Sequence, residues 1–273
     1  MTYTHTPLGK PSPIINTYES DLLVTIPRKA TRDEPNATYR GHDLWIAYEL
    51  SWLDPSGKPN MAIARFIIPA NTEQLTESKS MKHYLHSFNQ TVFEDKQAVE
   101  DILVETLSTR LQANVLVEVI PVHAWSSQHL KTPEGNCLDH ETITLSYEQN
   151  TPEKLEEPSQ NTEQIKETVY SELFKSNCKV TGQPDWATVV IHYEGPRIPK
   201  DTLLRYLMSF RQVQAFHEPT IEKIYQDIYK VFKPNYLRVE GFFTRRGGVT
   251  ICPKRSSIEN DPALNDWRVL PRQ

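Results

Sequence analysis

Cys178 stands in the run Ser176-Asn177-Cys178-Lys179-Val180-Thr181-Gly182-Gln183-Pro184-Asp185-Trp186, with a carboxylate seven residues further on. A thiolate is a strong nucleophile and needs a neighbour to manage its proton. Asp185, folded back by the Gly-Gln-Pro turn, could take that proton and return it as a general acid. A lone cysteine is usually a small packed hydrophobe. Here, however, the surroundings are polar and turn-forming rather than a periodic apolar run. Two further clusters carry chemistry. Glu77-Ser78-Lys79-Ser80-Met81-Lys82 reads either as an ordinary helix start with solvated lysines, or as an anion site where a helix N-terminus, a hydroxyl and two cations converge. Phe216-His217-Glu218-Pro219 precedes the last long helix. Glu218 there is either a capping carboxylate or an ionised acceptor for the paired N–H and amine edge of a guanine or pterin.

The elements that must position these groups form an internal repeat. Tyr84-Leu85-His86-Ser87-Phe88-Asn89-Gln90 and Tyr206-Leu207-Met208-Ser209-Phe210-Arg211-Gln212 share Y-L-x-S-F-x-Q. Two long copies indicate a duplicated domain, not a solenoid. In the first half, Leu44 to Trp52 and Met61 to Ile68 read as a hairpin around Asp54-Pro55-Ser56-Gly57. Helices follow at Ser78 to about Gln90 and Val99 to Leu111, then a strand at Ala113 to Val122. In the second half, the expected order is a strand at Ala187 to Tyr193, helices at Asp201 to about Gln212 and Thr220 to Phe232, and a strand at Tyr236 to Thr244. The class is α+β, with two helices on one face of an antiparallel sheet in each half. The expected domains are 1–147, including an extended arm over 1–40, and 167–273. The acidic, Pro-containing stretch 148–166 is the linker candidate.

The copies differ in their polar residues. Where the first has Glu77-Ser78-Lys79, the second has Pro199-Lys200-Asp201. Where the second has Phe216-His217-Glu218, the first has Phe93-Glu94-Asp95. One composite site, or one shared across a subunit boundary, explains this division of labour.

Composition narrows the classes. With 273 residues, 38% of them hydrophobic, the chain can bury two cores, and a formal net charge of −5 argues against a nucleic-acid-coating surface. Three cysteines without regular spacing are no disulfide framework. No apolar run approaches the roughly 20 residues of a membrane helix, and no signal-peptide core is evident. The expectation is a soluble, reduced, cytoplasmic protein that contacts neither nucleic acid nor membrane. Gly247-Gly248 opens no helix, so a Rossmann fingerprint is absent.

Together, E-S-K-S-x-K at Glu77 to Lys82, S-N-C-x-V-T-x-Q-P-D-W at Ser176 to Trp186, F-H-E at Phe216 to Glu218 and T-R-R-G-G at Thr244 to Gly248 resemble the NADPH-dependent 7-cyano-7-deazaguanine reductases of queuosine biosynthesis. The likeness is to their longer, two-module type. The resemblance implies tandem tunnelling-fold modules and a homodimer. It implies Cys178 as the nucleophile that forms a covalent thioimide with the nitrile carbon, and Asp185 as proton donor. It assigns Thr76, Glu77, Ser78, His217 and Glu218 to the deazapurine substrate, and Ser78, Lys79, Lys82, Arg246 and Gly247 to NADPH. Two hydride transfers take nitrile to amine, and no metal is required. In this sequence Lys179 follows the nucleophile where the family more usually has an apolar residue, and Val249-Thr250-Ile251-Cys252 replaces a more familiar L-D-I-N. The competing readings are a cofactor-free cysteine hydrolase of a nitrile or amidine using Cys178, Asp185 and His217, and a non-catalytic purine-binding module. A metal-dependent cyclohydrolase fits less well, because His83 and His86 lack an evident third ligand.

Overall fold

The computed structural model describes residues 15, 17–125, 130–145, 151–159, 162–265 and 267–273. The described residues fall into two compact units. The first draws on Met1–Asn36, Asp43–Ser127 and Arg245–Thr250, the second on Ala37–His42, Gln128–Thr244 and Ile251–Gln273. The α+β class expected from the repeat is what the elements form.

The first unit contains β1 (Thr25–Pro27), β2 (Gly41–Leu53, from Asp43), β3 (Pro59–Pro69), β4 (Gln74–Thr76), α1 (Ser78–His86), α2 (Lys96–Leu111) and β5 (Leu116–Pro121). The expected hairpin forms, with β2, β3 and β5 adjacent in that order. Its turn is held by Asp54, whose Oδ1 accepts from the Ser56 and Lys58 amides at 2.9 and 3.0 Å. Along β3, Ala62, Ala64, Phe66 and Ile68 are buried at a spacing of two. Helix α2 starts at the Asp95 cap, bonded to the Ala98 amide at 2.8 Å, and buries Val99, Leu103, Thr106, Leu107 and Leu111. The described part of the expected arm is more structured than an extended strap. Ser20–Leu22 forms a 3-10 turn, β1 pairs antiparallel with β4, and Arg28 is buried against Asp43. The remainder of that arm, residues 1–14 and 16, lies outside the described residues.

The second unit contains β6 (Asn136–Cys137), β7 (Gln164–Ser171), β8 (Lys175–Cys178), β9 (Pro184–Pro196), α3 (Lys200–Ser209), β10 (Gln214–Ala215), α4 (His217–Phe232), β11 (Tyr236–Phe243) and β12 (Val249–Ser256, from Ile251). Strand β9 pairs antiparallel with β11 along its length, and with β7 and β8 on its other edge. Val189, Ile191, Tyr193, Leu237, Val239 and Phe243 form one buried cluster with Leu203, Leu204, Leu207 and Phe210 of the α3 segment and with Ile221, Ile224 and Ile228 of α4. Burial of such a sheet face against helices is the main stabilising term. The strand positions between these residues carry His192, Arg238 and Glu240, and β12 carries Lys254. Arg268 from the C-terminal segment donates to Glu240 at 3.0 Å. Of the stretch read as a linker, Leu155 joins the core and Gln164–Lys166 opens β7. Residues 148–150, 160 and 161 of that stretch lie outside the described residues.

The repeated motif makes the same corner in both units. Ser87 Oγ donates to the Tyr84 carbonyl and Ser209 Oγ to the Tyr206 carbonyl, each at 2.6 Å. Tyr84 and Phe88 meet edge-on at 5.3 Å and 90°, Tyr206 and Phe210 at 5.3 Å and 86°. Each serine oxygen also accepts a backbone amide from an earlier segment, Glu19 at 3.3 Å and Glu153 at 2.9 Å. The serine thus ends its helix and fastens a passing chain. This is why α1 stops at His86, short of the expected Gln90.

Candidate active site

In the second unit, β8 and β9 form a hairpin whose loop holds Lys179 to Gln183. The Cys178 amide donates to Gln183 O at 2.8 Å, and the Gly182 amide donates back to Cys178 O at 3.0 Å. Gly182 has φ +67°, a conformation open to glycine at little cost. The register places Ser176 opposite Asp185. Side chains alternate along a strand, so Cys178, two residues from Ser176, shares a sheet face with Asp185. Such diagonal neighbours stand roughly 7–8 Å apart. The spacing of Cys178 and Asp185 in the sequence is thus the spacing of a tight hairpin.

The third member arrives from the other edge. Strand β10 runs parallel to β8, pairing Ala215 with Cys178, and the Asn177 amide donates to Val213 O at 2.8 Å. Two residues past Ala215, His217 opens α4, with Phe216 as the residue at its N-cap. His217 Nε2 lies 3.5 Å from Asp185 Oδ2. Its ring stacks on Phe243, with centroids 3.8 Å apart and planes within 6°. That stacking fixes the imidazole plane. Asp185 is 3% exposed and His217 14%, whereas Cys178 is only half-buried. Asp185 is thus the most shielded of the three. Glu218, also buried, occupies the first turn of α4, where the positive end of the helix favours a carboxylate.

Lys175 and Asn177 occupy the alternate positions of β8. Lys175 Nζ donates to Asn177 Oδ1 and to Arg211 O, both at 2.8 Å. Burial pushes the Lys175 amine down, Arg211 adds to this, and Asp185 partly opposes it. Neither this polar support nor the Phe243 stacking partner was legible in the sequence. Phe243 follows twenty-five residues after Glu218 and reads only as a strand residue.

In the first unit, Glu77 caps α1. Its two carboxylate oxygens accept from the Lys79 amide at 2.9 Å and the Ser80 amide at 2.7 Å, and its side chain is buried. Ser80 Oγ braces the same turn, donating to Glu77 O at 2.7 Å. Thr76, immediately before, is buried, and its Oγ1 has no hydrogen-bond partner among the described residues. Ser78, Lys79 and Lys82 are half-buried.

Arg246 to Val249 form a two-residue turn, closed by Arg246 N to Val249 O at 3.0 Å and Val249 N to Arg246 O at 3.4 Å. Gly247 and Gly248 have φ +57° and +74°, as a type I′ turn requires. A Cβ on Gly247 would lie 3.5 Å from Lys82 Nζ, so the turn lies directly against that amine. A Cβ on Gly248 would lie 2.5 Å from the Glu49 carboxylate. Arg245 stacks its guanidinium 3.4 Å over Tyr48. The structure thus joins the Lys82 and Gly247 assigned to the cofactor. A glycine turn beside cations at a helix start suits a polyanion.

Residues 14–119 match the family model described as "Nitrile reductase, 7-cyano-7-deazaguanine-reductase N-term", and residues 184–262 match the one described as "QueF-like protein". Over 262 residues the chain is 44% identical to the NADPH-dependent 7-cyano-7-deazaguanine reductase of Azoarcus sp. (strain BH72), spanning 94% of this chain and 92% of that protein. It is 43% identical over 266 residues to the protein of the same name from Chromohalobacter salexigens, spanning 96% and 95%. Among solved structures, the archaeosine synthase QueF-Like in its apo form aligns at 17% identity and TM-score 0.31, over 34% of this chain and 92% of that chain.

Proposed function

The chain belongs to the family of NADPH-dependent 7-cyano-7-deazaguanine reductases, and from that premise we propose that it reduces the nitrile of 7-cyano-7-deazaguanine to the primary amine in queuosine biosynthesis, through a covalent adduct on Cys178. It is an oxidoreductase that uses NADPH. The observation that carries the mechanistic reading is the shared sheet face of Cys178 and Asp185, with His217 at 3.5 Å from the carboxylate.

A nitrile accepts hydride poorly until sulfur adds to its carbon. Cys178 Sγ forms the new C–S bond as one C≡N π bond opens, and the thiol proton passes by way of Asp185 to the nitrile nitrogen. The product of this step is a thioimide. Asp185 then supplies protons to nitrogen as reduction proceeds, and the C–S bond breaks to return Cys178. Bound NADPH would supply the hydride for each of two reductions, so one turnover would consume two NADPH and two protons. His217 and Glu218 hold the deazapurine, the carboxylate accepting from the N–H and amine edge. On the cofactor side, Ser78, Lys79, Lys82, Arg246 and Gly247 would hold the phosphates. Glu77 stiffens that helix start and, with Thr76, meets substrate through the lone pairs its cap leaves over. Each unit is read as a tunnelling-fold module of a cytoplasmic homodimer.

Intact-protein mass spectrometry after incubation with the nitrile alone tests the adduct. A mass increment equal to the nitrile is expected on the native chain and none on Cys178→Ala. An increment on Cys178→Ala would remove Cys178 as the nucleophile. Loss of two NADPH per amine formed tests the reduction. An unchanged nicotinamide band would leave the hydrolase or the binding module, and formation of acid or amide would select the hydrolase.

A further inference from the structure

We propose that Ser176 is a positioning residue for Asp185: once the nitrile binds, its hydroxyl donates to the Asp185 carboxylate and holds it toward Cys178. The inference rests on the reductase reading above and deepens its proton-transfer step. Ser176 stands directly across the hairpin from Asp185, on the sheet face that Cys178 shares. Side chains so paired have Cβ atoms roughly 4.5–5.5 Å apart. Ser176 is 0% exposed, and its Oγ has no hydrogen-bond partner among the described residues. A buried hydroxyl left unpaired carries the full penalty of its lost water. Phe174, two residues back along the chain, and Ala187, two residues on from Asp185, are buried and bring no polar side-chain atom. Asp185 faces the hydroxyl directly, and Cys178 follows it by two residues.

The present contact from His217 to Asp185, at 3.5 Å, is longer than an ordinary hydrogen bond. The same imidazole is assigned above to the deazapurine. As His217 turns to the substrate, the buried carboxylate takes a new donor, and rotation about χ1 of Ser176 supplies one. A hydroxyl suits both states of the acid. It donates to the carboxylate that receives the thiol proton, and it accepts from the carboxylic acid that passes the proton to nitrogen. Its donation favours the ionised form, which the first step requires. The ionisable groups around Asp185 are Cys178 and Lys175 of β8 and His217 and Glu218 at the start of α4, with Arg211 acting on Lys175. Substitution of Ser176 leaves all of them in place.

The test is the rate of adduct formation with the nitrile alone, followed by intact-protein mass against pH, in the native protein, Ser176→Ala and Ser176→Thr. Without the hydroxyl the carboxyl holds its proton more readily. The acid limb of the rate is therefore expected to move up by at least about half a pH unit in Ser176→Ala, with adduct forming at least about threefold more slowly below the limb. Ser176→Thr keeps the hydroxyl and is expected to keep the native limb. Kd for the nitrile, measured in Cys178→Ala with and without Ser176→Ala, is expected to be unchanged. The ligand-free melting temperature of Ser176→Ala is expected to equal or exceed the native value, because no hydrogen bond is lost there. A crystal structure of the native adduct reads the same contact without a substitution, and Ser176 Oγ is expected within hydrogen-bond distance of Asp185. A native acid limb in Ser176→Ala, a limb shifted equally in Ser176→Thr, or an adduct in which Ser176 does not reach Asp185 would overturn the role of Ser176. These outcomes are separable from failure of the reductase reading, in which the native protein itself would form no adduct.

Discussion

At the scale of single residues, Asp185 shows how one carboxylate is specified twice. The hairpin register puts it on the face of Cys178, and the parallel strand on the other edge brings His217 to it. Asp185→Asn keeps the shape but cannot carry a proton. The expected result is a loss of kcat of at least about 100-fold with the substrate Kd nearly unchanged, measured by NADPH oxidation and by equilibrium binding. Phe243→Ala removes the surface that flattens the His217 ring and should raise KM for the nitrile more than it lowers kcat. That Cys178 and Asp185 share a face was legible because a tight hairpin converts a short sequence spacing into proximity. The Phe243 stacking was not, because it joins a strand end to a helix start across a sheet. Glu77 was legible as a helix-start carboxylate; only coordinates reveal that both its oxygens already serve amides of its own helix.

Among elements, the most informative is the corner made by Y-L-x-S-F-x-Q. Its serine ends a helix and accepts an amide from a distant segment in both units. Ser87→Ala or Ser209→Ala leaves that amide without its acceptor and should cost about 1–3 kcal/mol in urea unfolding. Ser→Thr retains the hydroxyl and separates this bond from a packing effect. The sequence exposed the corner as a repeat, and its periodicity located the four α-helices found among the described residues. It did not expose β7 or the short strand β10, since Gln214–Ala215 carries no pattern of its own and pairs only because β8 offers an edge. The Gly247–Gly248 turn makes a sharper demand. Gly248→Ala would push a methyl into the Glu49 carboxylate and strain a positive φ, so lower melting temperature and weaker NADPH binding are expected together.

For the whole molecule, the division of the chain was the least legible feature. The short segment Arg245–Thr250, which holds Gly248, belongs to the first unit while the chain before and after it belongs to the second, and no composition shift marks either change. The second unit also buries a charge cluster. Lys254, Arg268 and His192 reach Glu240 at 3.1, 3.0 and 3.1 Å, with Arg238 at 3.5 Å. Burial pushes the Glu240 carboxyl up, but Lys254, His192, Arg268 and Arg238 outweigh it and hold it well below its usual 4.5. A carboxyl whose pKa is lower folded than unfolded adds stability in full above about pH 4.5, and that stability is lost as pH falls toward the folded value. Glu240→Gln leaves the buried cations uncompensated. A loss of about 3–5 kcal/mol in chemical denaturation at pH 7, with a flatter acid limb, is expected. Beside this cluster lies Cys252, fully buried, accepting from Gln273 Nε2 at 2.9 Å, its thiol pushed up by burial to about 11. It is a built-in clock for the second unit. A maleimide dye at neutral pH will mark Cys137 and Cys178 in the native chain, and the slow arrival of a third label will count how often the sheet opens.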